Sequence, residues 1–527
     1  MSKKSRKKQK RKAASRRTIS LKIISSKPIL ILLIIIPLAL ILSIILFDTQ
    51  GVIISDAATY LIFAKSLVEG KGISLLNSPL EPLPKGGATF PFGYPLIIAF
   101  FYILFGGNLL LIRTSSIILF LAGIFVSYMF FKRKLDVFFL VCVIFLIGIN
   151  VSFLQITDSL LSEMAYFLFS TLAILMFEKG TQRYLKKRYS YLAISVLLIA
   201  FTYHIRTIGI ALILSPVIFF IIKRDYKTAG IIALSLILLL LPWFLRNKYY
   251  GIESDYIRQL FLKQIHDPSL GTLGPIELLT HRLPVNLQRY FITIIPESIA
   301  CRFSYLTDWN KEVKFILSVF IMFPMLYGYF SMLLTKRTIL EIYIFIYVSI
   351  CLLWPEYWSW VRFIIGVIPF FIYYLIVGIM LILRKVRLSS NAIKFCVLTV
   401  VALLTVSHFE RISFLAKHKT LDHDYVYIEA AKWLKENTPP NSIIIAKKPG
   451  AIYLYSGRKS TGFLYSRDSE LQFQRIKELK ADYIVVDKYR EESRYLWDTL
   501  YEYKEMFRLL KEIEKPKPIY IFKFQPE

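Results

Sequence analysis

Cysteine is scarce in this chain of 527 residues: Cys142, Cys301, Cys351 and Cys396 are the only four, widely spaced and mostly inside apolar runs. Such spacing offers neither a disulfide framework nor the paired thiols of a zinc site. Six histidines add no His/Cys/acid cluster with metal-ligand spacing, so no cofactor is indicated and a divalent metal is left open. Gly86-Gly87 is far from a Walker loop, and no other nucleotide motif is present. Acidic residues are also few, 36 against 66 Lys and Arg for a net charge of +30. Much of the excess lies in Lys3 to Arg17 and in short loops between apolar runs. Anionic lipid and the positive-inside bias account for it without nucleic acid.

What the chain has in excess is apolar surface. It is 56% hydrophobic with a mean hydropathy of +0.54, more than one soluble core could bury. Runs near 20 apolar residues predict membrane-crossing helices. About eleven are expected: 28–47, 109–131, 135–154, 160–177, 191–203, 208–222, 229–245, 313–334, 339–354, 363–383 and 392–407. The basic clusters between them all fall on one side, which predicts a cytoplasmic amino terminus in a multi-pass cell (plasma or inner) membrane protein. The first run follows a long basic segment and lacks a small-x-small site, so it reads as an uncleaved span.

This topology divides the chain into a basic tail 1–27, a membrane domain 28–408 with external loops 48–91 and 246–311, and an outer domain 409–527. In the outer domain, helical patterns at 427–437, 450–455, 475–479 and 495–510 alternate with strand patterns at 442–446, 482–487 and 519–524, which predicts a small α/β fold. It offers no complete catalytic set and reads as a lid or acceptor platform. The fold class is therefore mostly α and polytopic, with a C-terminal extracytoplasmic α/β domain.

The first outer loop holds Ser55-Asp56-Ala57-Ala58-Thr59-Tyr60 and Phe90-Pro91-Phe92-Gly93-Tyr94-Pro95, which delivers a carboxylate to the membrane surface straight after the first crossing. Leu241-Pro242-Trp243-Phe244-Leu245-Arg246-Asn247 closes a later span, and Glu429 to Pro440 precedes a strand. Together these phrases resemble the GT-C superfamily of polytopic membrane glycosyltransferases, dolichyl- or undecaprenyl-phosphate-sugar-dependent enzymes similar to protein mannosyltransferases and aminoarabinose transferases. The resemblance implies an inverting hexosyl- or pentosyl-type transferase of the EC 2.4 class. Its donor would be a lipid-linked sugar, and its acceptor a glycan, lipid or protein. The family often has an acidic pair where this chain has Asp56 followed by Ala57.

Asp56 is the first candidate catalytic residue, as the base that takes the acceptor proton; Ser55 or Asp56 could equally cap a helix. Asp158 and Glu163 are the next. Glu163 stands a turn into an apolar run, where an ionisable group faces a cavity or a partner, and Asp158 could also be an acidic cap. A lipid phosphate requires cations, for which Lys85, Arg206, Arg362 and Arg246 are the candidates, with snorkelling to headgroups as the plainer role. His204 reads as a core residue, and Cys301 to Asp308 could line an acceptor groove. Two other classes fit parts of the pattern: a transporter or flippase of lipid-linked saccharides, which predicts repeat symmetry that is not found, and a non-catalytic envelope assembly protein.

Overall fold

A computed structural model describes residues 29–49, 51–182, 185–301, 311–418 and 424–526. The basic tail lies outside the described residues, as does 302–310, which includes the stretch to Asp308 considered above.

Each of the eleven expected runs is helical. Among the described residues, seven helices are long and apolar enough to cross a membrane, or eight if Val137–Gly148 and Val151–Thr157, bent by 43°, form one span. The bend falls at Asn150, whose side chain accepts from the Ser152 amide at 3.0 Å and donates to Ser298 O at 2.8 Å, ending one helix and starting the next. Gly93–Leu104, Thr207–Ile222 and Ile339–Leu353 are apolar but shorter. Glu163–Gly180 is 18 residues long and carries Glu163, Glu178 and Lys179.

The segment Val361–Lys385 is the centre of the bundle, with 89% of its apolar window buried. It lies against Lys311–Thr335 at a glycine crossing: a Cβ on Gly378 would overlap the Pro324 carbonyl, and one on Gly328 would overlap that of Tyr374. Without a hydrophobic drive between helices in lipid, such close backbone contact supplies the packing. Gly378→Val is expected to lower stability by about 3 kcal/mol through overpacking. An unchanged thermal midpoint in detergent would show that this crossing does not hold the bundle.

The C-terminal sheet has strand order β2-β1-β3-β5-β4, with β1 Ile443–Ala446, β2 Lys459–Thr461, β3 Tyr483–Asp487, β4 Phe507–Ile513 and β5 Ile519–Phe524. β1 runs parallel to β2 and β3, whereas β5 is antiparallel to β3 and β4. One apolar core on each face includes Tyr427, Leu434 and Val485 on one side and Ile476, Leu496 and Ile484 on the other. The helix expected over 495–510 stops at Glu502, and Phe507–Leu510 instead opens an edge strand. Its pairing with β5 overrides the local helical spacing, because the edge of β5 otherwise has unmet backbone groups. β2, unforeseen in the sequence, is fastened to the first outer loop: Ser460 N donates to Asn77 O at 2.7 Å, and Asn77 Nδ2 donates to Ser460 O at 3.0 Å.

Candidate active site

The helix Ser55–Val68 begins directly after the first span and buries Ala57 and Ala58. Ala58 meets Gly450 of the outer domain so closely that a Cβ on Gly450 would stand 2.9 Å from that of Ala58. Asp56 is thus followed here by two small packing residues, Ala57 and Ala58. The helix is not capped by Ser55 or Asp56: Ile54 is its N-cap, with no side-chain bond. The Asp56 carboxylate instead accepts from Arg362 Nη2 at 2.7 Å.

Arg362 is shared. Its Nε donates to Glu163 Oε1, which also lies 2.5 Å from Arg206 Nη1. Arg206 donates in addition to Ser162 Oγ at 3.0 Å, and that hydroxyl is 3.1 Å from the Tyr60 hydroxyl, one turn along from Asp56. The Glu163 side chain is only 2% exposed and that of Arg206 14%, whereas Asp56 is 34% exposed and Arg362 29%. Two guanidiniums and two carboxylates therefore form one chain from the buried bundle to an accessible carboxylate. A charge this far from water requires partners, which explains why four ionisable groups share one spot.

The two loop phrases enclose this chain. Tyr60 packs edge-on against Phe90 and Tyr94, with centroids 5.2 and 4.8 Å apart. Gly93 backs onto the His204 main chain, where a Cβ would come within 2.7 Å. His204 is buried between Phe92 and Trp243, the core position expected for it.

No family model and no curated protein matches the chain, but solved structures do. ArnT from Cupriavidus metallidurans bound to undecaprenyl phosphate aligns with a TM-score of 0.59 at 12% identity, covering 94% of this chain and 99% of that one. Archaeal oligosaccharyltransferase AglB from Archaeoglobus fulgidus, in complex with an inhibitory peptide and a dolichol-phosphate, aligns at 0.56 and 13% identity, covering 94% and 74%. The chain has the fold of these structures, the GT-C fold.

Within this GT-C fold, the network joins Asp56, Glu163, Arg206 and Arg362 and does not include Asp158, Lys85 or Arg246. Asp158 follows the helix Val151–Thr157, and its carboxylate accepts from Arg113 Nη2 at 2.6 Å and from the Asp48 amide at 3.0 Å. It ties down the exit of the first span and does not cap the next helix. Lys85 donates to Lys71 O and Ser74 Oγ at 3.1 and 2.9 Å. Arg246 donates to Gly86 O at 2.6 Å and Ile73 O at 3.2 Å while lying over the Trp243 ring. These two cations fasten the outer loop. Among the described residues, no group of three or more His, Cys, Asp or Glu could hold a metal ion.

The sequence reading missed Lys448, which the outer domain contributes to this end of the GT-C fold. Its Nζ donates to Ser55 Oγ at 2.5 Å, next to Asp56, and lies 3.7 Å from Asp424. Burial, followed by the charges of Arg490 and Lys447, pushes this ammonium below the ordinary lysine range. The available signal was a basic pair, Lys447-Lys448, between a strand and a helix-starting Pro449. Beside it lies a cavity of about 360 Å³ lined by His266, Tyr357, Asp424, Tyr489, Arg490 and Glu492. Burial also holds the His266 imidazole below its usual range.

Proposed function

We propose that the chain is an inverting glycosyltransferase that moves a hexosyl- or pentosyl-type sugar from a polyprenyl-phosphate donor to an acceptor hydroxyl on the extracytoplasmic face of the membrane. The amino terminus is then cytoplasmic, 28–408 is the membrane domain and 409–527 the outer domain. The observation that carries this reading is the Asp56–Arg362–Glu163–Arg206 network at the first outer loop of a GT-C fold. The ArnT and AglB structures hold undecaprenyl phosphate and dolichol-phosphate, and a lipid phosphate is an anion well suited to two guanidiniums at a membrane surface.

The reaction is a single displacement. The acceptor oxygen attacks the anomeric carbon, the bond from that carbon to the phosphate oxygen breaks, and Asp56 takes the hydroxyl proton. Before the donor arrives, Arg362 covers Asp56 Oδ2. A phosphate that draws Arg362 away leaves that oxygen free to accept the proton, so donor binding and exposure of the base are one event. Arg206 and Arg362 then stabilise the departing phosphate in a site with little water. Lys85 and Arg246 hold the loop that walls the site, and Asp158 with Arg113 fixes where the first span ends. The acceptor sits in the cavity beneath the outer domain, with Lys448 between it and Asp56.

The test is transfer of radiolabelled sugar from a panel of polyprenyl-phosphate sugars in membranes containing the full chain. Incorporation into an acceptor fraction is the expected result. Protein-dependent movement of the lipid across the bilayer without transfer would overturn the reading in favour of a transporter. Lys448→Met is expected to lower kcat/KM roughly tenfold, the loss of one charge-assisted hydrogen bond. Full activity in that variant would leave the outer domain a passive lid.

A further inference from the structure

The segment that brings Arg362 to the active cluster ends in Arg384 and Lys385. The stretch from Arg362 to Arg384 spans roughly 33 Å at helical rise, about the thickness of the hydrocarbon core. Arg384 therefore lies at the other face of the membrane. There Lys132, Arg133, Lys134, Asp136, Met380 and Arg384 line a cavity of about 320 Å³. Lys134 is paired with Glu178 at 2.7 Å, and Lys132 lies over the Tyr128 ring. Among the described residues, Arg133 and Arg384 have no carboxylate at ion-pair distance, and Asp136 is the one acid in the lining.

A second feature points the same way. The 12-residue helix Val137–Gly148 begins at this cavity with Asp136 as its N-cap, and that side chain accepts no bond from the first turn. Cations at the carboxyl ends of Ser115–Phe131 and Ile368–Lys385 complement those helix dipoles, but a helix amino end repels them. Among the described residues Lys132, Arg133 and Arg384 have no carboxylate at ion-pair distance, and beside amides that the Asp136 side chain leaves uncapped they favour an anion between them. Amides at a helix amino end together with arginines form a phosphate site.

We propose that this cavity binds the phosphate of an anionic phospholipid headgroup. The lipid source follows from the apolar residues next in sequence to the lining: Val137, directly after Asp136, is 41% exposed and Val386, two positions after Arg384, is 67% exposed, which offers acyl chains apolar surface close to the basic residues. Basic pockets between helices on the positive side of a membrane protein recognise such headgroups. The site is independent of the transfer reaction.

The test uses the full chain purified in detergent, with thermal unfolding and native mass spectrometry after adding phosphatidylglycerol, phosphatidylcholine or inorganic phosphate. Phosphatidylglycerol is expected to raise the unfolding midpoint and remain bound, whereas phosphatidylcholine and inorganic phosphate do neither. Arg133→Gln/Arg384→Gln should weaken phosphatidylglycerol retention roughly tenfold or more. Asp136→Asn, which removes the one acid, should strengthen it and keeps the test decisive if the double variant does not fold. Equal retention in wild type and Asp136→Asn, or in wild type and a folded double variant, would overturn the site. A midpoint shift with inorganic phosphate matching that with phosphatidylglycerol would overturn the lipid as its source.

Discussion

Asp56→Asn is expected to lower kcat for sugar transfer roughly 10²- to 10⁴-fold, the range that one positioned base contributes, while donor KM changes little. Asparagine keeps the size of the side chain and a carbonyl that can still accept from Arg362 Nη2, now at 2.7 Å from Asp56. It cannot take the acceptor proton. The substitution is also structurally mild: the Asp56 side chain is 34% exposed, so its share of the ion pair is worth at most about 1 kcal/mol. Glu163 still holds both arginines. A fall in kcat with an unchanged thermal midpoint would separate chemistry from folding. Equal rates in matched membranes would remove Asp56 as the base and leave it an electrostatic partner of Arg362.

Much of this site was legible because charge is costly in an apolar sequence. Glu163, Arg206 and Arg362 stand out as ionisable groups at the ends of apolar runs, and Asp56 as a carboxylate following the first span. Their pairing was not legible. Asp56 and Arg362 lie 306 positions apart, and Glu163 and Arg362 lie 199 apart, with no periodicity linking them. The sequence therefore assigned phosphate to the arginines and chemistry to the acids, whereas the fold makes them one neutralised unit. Lys85 and Arg246 read as phosphate candidates because nothing in the sequence shows their loop acceptors, the Lys71, Gly86 and Ile73 carbonyls and the Ser74 hydroxyl. Lys448 was hidden for another reason: its role depends on docking of the outer domain through Gly450 and Ala58. In that domain, the strands 443–446 and 483–487 were readable from apolar runs and 519–524 from its alternation. The edge strand β4, mostly exposed, carries no such signal.

Glu163→Ala is expected to have the largest effect on stability, about 3–5 kcal/mol, the cost of breaking a buried pair from one side. Its carboxylate holds Arg206 and Arg362 at once, and Arg206 lies deep, with Ser162 Oγ as its other side-chain partner. Removing the acid leaves one guanidinium without a counter-charge and the other with Asp56 alone. Much of that penalty belongs to the stranded arginine, so Glu163→Ala/Arg206→Met should be more stable than Glu163→Ala. Thermal unfolding of wild type, the two single variants and the double variant closes this cycle. Recovery in the double variant would mean that Glu163 chiefly neutralises buried cations and that Arg362, tethered at the edge of the pair, is the one free to turn to a donor phosphate. No recovery would mean that Arg206 is held by other groups, and the proposed sharing of one carboxylate by two arginines would fail.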